Sequence, residues 1–551
     1  MGAADPHPPQ TGTPAVSEAI AGTHPAVARL LALWPWASAV FSGVLLSLCF
    51  APRNWGGLCW LALTPLLAAL WFGAQASPLR RFLLGYTTGI TFFTLTFSWL
   101  SALGELYGDP MLRGIPLLLA LYMGLYPAVW AWIVGILCDG RRDSFLHSGT
   151  NLATGLAGAA VWVVLEWIRG WLFSGFGWNG LGVALHRDLA MIQICELTGV
   201  LGLSFLVAFA NLMAVIIVRR LSAELGASFL KRVRWEFSLS MALIAGVFAF
   251  GAQRLLTPPP SDATSVRISA IQPNIPQREK FSPEMEDKVL AAIGRIHRLS
   301  VATRPDLILW PEAATPRGIY ADETNYRFVL NLLADNDAPL LLGTEEIDTQ
   351  EHKAFNTATL LTDKGQTAQG YRKMHLVPFG EYLPLRHSLP LMQMVAGELV
   401  PGDFTPGTEP ALFNLERPAL QFSALVCFED TLGDLTRQFV LRGSQLLVNL
   451  TNDGWFLHTP AAEQHLANAV FRAVENRRPL VRCANTGVTC AISPLGRVDR
   501  WVDPFAEGFA TREVSVPTDG PLTLYTRAGD WLVWVCASAS LLAIALRKIR
   551  H

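Results

Sequence analysis

The sequence predicts an α-helical membrane domain joined to an α/β domain, and three observations support this fold class. Hydrophobic residues make up 51% of the 551 residues and charged residues only 16%, against about 25% charged residues in an ordinary soluble domain. Long apolar blocks lie almost entirely before residue 257 and after residue 528. Between them, short apolar runs alternate with segments of helical spacing, a pattern typical of an α/β domain with buried strands.

The membrane domain is predicted at residues 27–257, as seven apolar blocks of about the length that spans a bilayer. An eighth block at 527–547 predicts a C-terminal transmembrane helix. Lys and Arg residues divide unequally between alternate connections, thirteen against four. Because positive residues favour the cytoplasmic side, we expect both termini in the cytoplasm and the α/β domain on the opposite side. In a bacterium with two membranes that side is the periplasm.

The remaining segments and the overall charge limit the function further. Residues 1–26 predict a disordered tail, 258–264 a linker and 265–516 the α/β domain. A net charge of −1 gives no reason to expect a nucleic-acid partner. The eight cysteines show no zinc-type spacing, so we expect no metal. Cys483 and Cys490 flank a hairpin turn, where a disulfide is an alternative that we do not favour.

Three polar residues of the α/β domain follow directly on buried strands: Glu312, Lys373 and Cys427. The carboxyl ends of strands are where α/β domains usually build their sites. A carboxylate can take the thiol proton, and the thiolate can attack a carbonyl. An ammonium, with a backbone N–H such as that of Phe428, can hold the oxyanion. A helix after Cys427 is expected to lower the thiol pKa. Each residue taken singly has another explanation. Cys427 could be a packing residue of the core, and Glu312 and Lys373 could be solvated surface charges.

The order Glu, Lys, Cys resembles the nitrilase superfamily over residues 266–515. The segments that carry this resemblance are Trp310-Pro311-Glu312, Arg372-Lys373 and Val426-Cys427-Phe428-Glu429. The resemblance implies an α-β-β-α sandwich of four layers, so the full prediction is eight transmembrane helices plus a nitrilase-like α/β domain. It also implies that Glu312 is the general base, Lys373 the oxyanion stabiliser and Cys427 the nucleophile.

The wider chain is similar to the apolipoprotein N-acyltransferase family of the bacterial inner membrane. The segments that carry this similarity are Gly177–Gly182, Gln272–Gln277, His375–Glu381, Thr451–Phe456 and Asn485–Gly487. The resemblance implies transfer of an acyl chain from a phospholipid, with phosphatidylethanolamine as the expected donor. The acceptor is the N-terminal amine of the diacylglyceryl-cysteine of an apolipoprotein. The reaction passes through a Cys thioester with ping-pong kinetics, and it needs no cofactor.

The same resemblance implies supporting carboxylates at Glu381 and Glu429, which orient Lys373 or the substrate amine. Loop hydrogen bonding is the alternative for both. Phe428 and Phe281 stand where some relatives carry Tyr and Trp. Both substitutions keep an aromatic ring, and a role that needed the hydroxyl or indole N–H would be absent.

Several further residues keep two interpretations. His375 and His465 lack an evident ligand set or Ser partner and are expected to be structural. Glu196 is either functional or interfacial, since an ionisable group within the bilayer is costly. The apolar stretch Leu389–Val395 is either a lid that excludes water or a short surface helix.

Two other functions stay open at this point. The first is a membrane-anchored amidase that hydrolyses its acyl-enzyme on a lipid-linked amide or ester. The second is a non-enzymatic membrane protein with a decayed nitrilase domain, against which the intact Glu312, Lys373 and Cys427 argue. We expect a monomer, because the membrane helices restrict how the domain can pair.

Overall fold

A computed structural model describes residues 25–73, 77–137, 147–223, 234–257, 262–334, 337–362, 367–384, 386, 402–518 and 520–549. Three predicted segments lie wholly or mostly outside these residues. They are the N-terminal tail 1–26, the first four residues of the linker 258–264, and the candidate lid Leu389–Val395.

The N-terminal part of the protein is helical. Its α-helices are α1 (Pro25–Leu48), α2 (Thr64–Phe72), α3 (Pro78–Thr96), α4 (Ala102–Leu106), α5 (Ile115–Met123), α6 (Leu125–Leu137), α7 (Ser148–Arg169), α8 (Leu189–Ile192), α9 (Cys195–Thr198), α10 (Val200–Ala223) and α11 (Arg234–Leu256). Short 3₁₀ helices lie at Gly56–Trp60, Ser98–Ser101, Pro110–Gly114, Leu172–Ser174 and Leu181–Leu185.

Four helical segments of the described chain are long and apolar enough to cross a membrane. They are Pro110–Leu137, Ser148–Arg169, Val200–Ser222 and Trp235–Leu256. The apolar helices Ala32–Leu48, Gly56–Phe72, Leu189–Thr198 and Trp531–Ala545 are shorter. The structure therefore confirms an apolar helical region with four candidate spans, and the larger number of eight remains a prediction.

One of the seven predicted apolar blocks, the one near residues 190–218, is not a single helix. Helix α9 ends at Thr198, and Gly199 adopts a left-handed conformation with φ of 66°. Helix α10 then begins at Val200, whose backbone N–H donates to Glu475 Oε1 at 2.9 Å. Hydropathy alone did not reveal this break, because the residues on both sides of the glycine are apolar.

The C-terminal domain contains two six-stranded sheets. The strands are β1 (Ala263–Gln272), β2 (Leu307–Leu309), β3 (Leu340–Asp348), β4 (Lys353–Leu361), β5 (Thr367–Arg372), β6 (Phe413–Glu416), β7 (Ala419–Val426), β8 (Leu446–Thr451), β9 (Leu480–Ala484), β10 (Cys490–Ile492), β11 (Val498–Arg500) and β12 (Gly508–Pro517). Their order is β12-β1-β2-β3-β4-β5 in the first sheet and β11-β10-β9-β8-β7-β6 in the second.

The α-helices of this domain and the C-terminal segment complete the chain. They are α12 (Gln277–Lys280), α13 (Glu286–Val301), α14 (Glu323–Leu333), α15 (Gly433–Leu441), α16 (Ala461–Asn476), α17 (Leu524–Ala528) and α18 (Trp531–Ile549). Short 3₁₀ helices lie at Pro283–Met285, Cys427–Thr431 and Asp453–Phe456. Strand β1 starts at Ala263, inside the predicted linker, because it pairs with β12 as far as Pro517.

The domain is layered α-β-β-α, as predicted. Leu307 and Leu309 of β2 pack against the second sheet, in one core with side chains of β7 and β8. Between them Ile308 points the other way and packs against α13 and α14, as the two-residue period of a strand requires. On the outer face of the second sheet, side chains of α15 and α16 belong to the same core as the N-terminal helices.

Helix α16 therefore joins the α/β domain to the helical region, and Gln464 is its principal polar contact. The Gln464 Oε1 atom accepts hydrogen bonds from Trp99 Nε1, Trp178 Nε1 and Asn179 Nδ2 at 3.0, 3.1 and 2.8 Å. Its Nε2 donates to the backbone oxygens of Ala51 and Thr96 at 2.9 and 3.1 Å. The carboxamide is thus fully used between the two parts of the chain.

Glu196 lies in the same contact region. It is buried, and its carboxylate pairs with Arg254 Nη2 at 2.5 Å and Arg477 Nε at 2.6 Å. Arg254 belongs to α11, and Arg477 follows α16. The structure therefore shows Glu196 in ion pairs between the helical region and the α/β domain, whereas a catalytic role or a position at the membrane surface stays a prediction.

Candidate active site

Glu312, Lys373 and Cys427 each follow the end of a strand, on the two sheets that face each other. Glu312 comes three residues after β2, Lys373 directly follows β5, and Cys427 directly follows β7. Glu312 is 7% exposed and Lys373 only 1% exposed. Cys427 is partly exposed, whereas the other cysteines of the described chain are buried. The fold thus gathers a carboxylate, an ammonium and the one accessible described thiol.

The Lys373 ammonium lies between two carboxylates. Its Nζ is 2.8 Å from Glu381 Oε2 and 3.7 Å from Glu312 Oε1. Burial opposes the charge, but Glu381 and Glu312 outweigh it and raise the pKa of Lys373 above its ordinary value. Lys373 is therefore a fixed positive charge, suited to stabilising an oxyanion.

Asn356 holds the two carboxylates in place. Its Nδ2 donates to Glu312 Oε1 at 2.9 Å and to Glu381 Oε1 at 2.8 Å. Glu312 Oε2 has no hydrogen-bond partner among the described residues. Glu312 thus has one carboxylate oxygen held by Asn356 and one that is free to accept a proton. Sequence reasoning missed Asn356, although an amide within an apolar strand was a usable signal.

Cys427 has a strained backbone at the junction between strand and helix. Its φ is 52°, a conformation that non-glycine residues rarely adopt. The carbonyl of Cys427 accepts a hydrogen bond from Asn449 Nδ2 at 2.9 Å, which stabilises this arrangement. The left-handed backbone turns the chain sharply at the end of β7 and directly into the 3₁₀ helix Cys427–Thr431.

The expectation of a lowered thiol pKa is wrong for the protein at rest. Burial raises the pKa of Cys427 well above its ordinary value and the Glu312 carboxylate raises it further, while Lys373 lowers it. The following 3₁₀ helix has only five residues, too short to offset these effects. Cys427 is therefore a thiol before reaction, and it needs a proton acceptor beside it.

Glu429 is buried and Glu381 half-buried near Lys373, and the two are used differently. Glu381 pairs with the ammonium and accepts from the backbone N–H of Val377 at 2.8 Å. Glu429 does not pair directly with Lys373: its Oε1 accepts from the backbone N–H groups of Met374 and His375 at 2.8 and 3.0 Å.

The second oxygen of Glu429 reaches the nucleophile loop. Its Oε2 accepts from the Val426 N–H at 2.8 Å, and its Oε1 also accepts from Tyr371 OH at 2.8 Å. Burial raises the pKa of Glu429, whereas Lys373 and the donors lower it. Glu429 thus connects the Lys373 loop to the Cys427 loop through backbone hydrogen bonds, which is the alternative stated for it above.

Aromatic rings, two of them from the helical region, stack on the residue that follows Cys427. The Phe428 ring stacks on Phe176 and Trp178 at centroid distances of 5.9 and 6.0 Å, and on His375 at 5.8 Å. These contacts use the aromatic ring of Phe428 and do not need the hydroxyl that a Tyr would carry. Phe281, in contrast, is 44% exposed. Burial and Lys373 lower the pKa of His375, so its imidazole is neutral beside the ammonium.

Behind the nucleophile loop, His465 belongs to a buried network of charges. Its Nε2 and Nδ1 lie 2.8 Å from Asp430 and 2.8 Å from Asp453. Arg482 pairs with the same Asp430. Two carboxylates and two cationic side chains thus form a buried ionic network at the 3₁₀ helix that begins with Cys427. This agrees with a structural role for His465. Among the described residues, no cluster of His, Cys, Asp or Glu could hold a metal ion.

The fold and the sequence define a nitrilase-type domain attached to a membrane-type helical region. Residues 267–519 match the family model described as carbon-nitrogen hydrolase, and residues 42–213 match that of the apolipoprotein N-acyltransferase N-terminal domain. The chain is 36% identical to the apolipoprotein N-acyltransferase of Geobacter metallireducens over 524 residues, which cover 93% of this chain and 96% of that one. It is 32% identical to that of Methylococcus capsulatus over 522 residues, 93% and 96% of the two chains.

The chain therefore belongs to the apolipoprotein N-acyltransferase family. Among solved structures it is similar to an amidase of the nitrilase superfamily from Nesterenkonia, with 18% identity and a TM-score of 0.36. That match covers 50% of this chain and 95% of the amidase.

Proposed function

We propose that this protein transfers an acyl chain from a phospholipid to the N-terminal amine of an apolipoprotein, through a thioester on Cys427. The observation that carries the proposal is the neighbourhood of Cys427. Cys427 is partly exposed and lies within electrostatic range of Glu312, which has a free carboxylate oxygen, and of the Lys373 ammonium, and the ring that follows it packs on the helical region. This arrangement suits acyl transfer from a lipid.

The first step forms the acyl-enzyme. Glu312 Oε2 takes the proton of the Cys427 thiol, and the sulfur attacks the carbonyl carbon of the phospholipid ester. Lys373 stabilises the tetrahedral oxyanion, together with the backbone N–H of Phe428. The intermediate then breaks its bond to the glycerol oxygen. That oxygen takes the proton from Glu312 and leaves as lysophospholipid, while the acyl group remains on sulfur.

The second step uses the same groups in the reverse sense. The neutral α-amine of the diacylglyceryl-cysteine attacks the thioester carbon and loses its proton to Glu312. The carbon–sulfur bond breaks, and Cys427 regains a proton from Glu312 as the amide product leaves. The aromatic side chains Phe176, Trp178 and Phe428 limit the access of water to the thioester.

We further propose that all eight apolar segments lie in the membrane. Support comes from helices whose apolar side chains face outward: Trp235, Phe237 and Phe248 on α11 are 54%, 48% and 53% exposed. On α18, Trp534 and Leu541 are 62% and 68% exposed. Such surfaces are typical of contact with lipid. With 27–257 and 527–547 embedded in a bacterial inner membrane and both termini cytoplasmic, the domain at 265–516 is periplasmic. A reporter fused after His551 that proved to be external would contradict this topology.

The transfer is tested with purified full-length protein and phosphatidylethanolamine carrying a labelled acyl chain. We expect label on Cys427 that neutral hydroxylamine removes, and its passage to an added diacylated peptide. Release of all label as free fatty acid, with or without the peptide, would support the amidase alternative instead. No label on Cys427 from any phospholipid would contradict the thioester itself. Phospholipids with other head groups test the choice of phosphatidylethanolamine, and the mass of the protein in detergent tests the monomer.

A further inference from the structure

Lys280 is a buried lysine beside the candidate triad. It is the last residue of helix α12, it is 1% exposed, and its Nζ donates a hydrogen bond to the backbone oxygen of Glu312 at 2.9 Å. Its ammonium makes no ion pair within 4.0 Å to a carboxylate of the described chain. Neither the proposed steps nor the supporting carboxylates use this residue.

A buried ammonium without an ion pair is costly, so its position indicates what it interacts with. Three ionisable groups from three elements face it: Glu312 after β2, Glu345 on β3 and Cys427 after β7. Burial lowers the pKa of Lys280 to about 8, and these three groups oppose the decrease. Lys280 is therefore still mostly charged at neutral pH, and an ammonium is a strong hydrogen-bond donor to the Glu312 carbonyl.

The hydrogen bond from Lys280 to the Glu312 carbonyl gives Lys280 a geometric role. Glu312 begins the loop after β2, and its side chain is held on one oxygen only, through Asn356. The bond from Lys280 fixes the backbone oxygen of the same residue. Glu312 is thereby held by two independent contacts, one on its side chain and one on its backbone, while Oε2 stays free.

We propose that Lys280 is a positioning residue of the acyl-transfer site, which holds the backbone of Glu312 and so keeps its free carboxylate oxygen in place to take the proton of Cys427. This inference rests on the proposed roles of Cys427 as nucleophile and Glu312 as base. In the acyl-transfer cycle, Lys280 acts through Glu312, whereas Lys373 acts on the oxyanion.

The test measures the rate at which iodoacetamide alkylates Cys427 as a function of pH, by mass spectrometry of the Cys427 peptide from the full-length protein. Lys280→Gln removes the charge but keeps a donor for the Glu312 carbonyl, and Lys280→Met removes both. Lys280→Arg keeps the charge. Lys288→Met, on the exposed face of α13, is the matched control.

We expect Lys280→Met to lower the alkylation rate at pH 7 by about tenfold or more, because a displaced Glu312 takes the thiol proton less efficiently. Lys280→Gln and Lys280→Arg keep a donor for the Glu312 carbonyl and should restore most of the rate, and Lys288→Met should match the wild type. If a folded Lys280→Met protein keeps the wild-type rate, or if Lys280→Gln is as slow as Lys280→Met, the proposal is wrong and Lys280 is only structural. The readout does not need lipid, so a wild-type protein that formed no thioester from phospholipid would refute the proposed function and leave this test intact.

Discussion

Replacing Glu429 distinguishes a connecting role from a purely electrostatic one. Its carboxylate accepts hydrogen bonds from three backbone N–H groups and one hydroxyl, all within 3.0 Å. A hydrogen bond to a charged group contributes about 1.5–3 kcal/mol. In Glu429→Gln the amide N–H₂ takes the place of Oε2. Because it is itself a donor, it cannot accept the hydrogen bond from the Val426 N–H. The substitution also weakens the other three bonds to about 1 kcal/mol each, for a total cost of about 3–9 kcal/mol.

That cost predicts a drop in the thermal midpoint of roughly 6–36 °C for a domain of this size, measured in detergent at a fixed scan rate. The bonds flank Lys373 on one side and Cys427 on the other, so we also expect thioester formation to slow by about 100-fold, as for a displacement of about 1 Å. Glu463→Ala removes a partly exposed carboxylate that pairs with Arg500 at 2.8 Å, and should cost about 0–1 kcal/mol.

The two measurements together decide the question. A purely electrostatic Glu429, which orients Lys373 or the substrate amine by its charge, predicts slow thioester formation with a nearly unchanged midpoint. If Glu429 connects the two loops, both the thermal midpoint and the rate of thioester formation should fall. If Glu429→Gln kept both the wild-type midpoint and the wild-type rate, the hydrogen bonds described here would not contribute as we reason.

Three further predictions follow from the same site. Cys427→Ala should abolish hydroxylamine-sensitive acyl label, and label found on another residue would contradict the nucleophile assignment. Glu312→Gln keeps an oxygen for Asn356 but cannot accept the thiol proton, so thioester formation should fall about 10²–10⁴-fold with little change in thermal midpoint; an unchanged rate would exclude it as base. Despite burial, two aspartates raise the pKa of His465 to about 9. Its stabilising contribution should therefore be complete below about pH 6.5 and lost as the pH rises through about 9, so a midpoint difference between wild type and His465→Gln that stays constant up to pH 10 would refute this.

The sequence predicted Glu312 and Cys427 because each follows a short apolar run, and runs of this kind formed β2 and β7 at the expected places. Lys373 follows β5, which has no such run, so its role rested on the resemblance. Strands β6, β11 and β12 also lacked this signal: β11 is fully exposed, only three of the ten residues of β12 are buried, and β6 alternates buried and exposed residues. Strand β12 is held by its pairing with β1, about 250 residues earlier in the chain. Local periodicity does not report such a long-range pairing.

The supporting residues were harder to predict, for a different reason. Asn356, Asn449 and Lys280 act through single hydrogen bonds across elements that are distant in sequence. Gln464 makes five such bonds between the two parts of the chain. A polar residue in an apolar stretch signals that a partner exists, but only the packed fold identifies the partner.

The electrostatics of the resting site explain why the membrane part and the catalytic part are built together. A thiol whose pKa is raised by burial and by Glu312 reacts only when its proton is taken, so a resting site of this kind is inert to most electrophiles. Phe428 directly follows that thiol in the chain, and Phe176 and Trp178 of the helical region stack against its ring. An isolated α/β domain would leave that ring open to water. If the proposed thioester forms on Cys427, we expect this aromatic contact to favour transfer to an amine over hydrolysis, which is the chemical difference between an acyltransferase and an amidase.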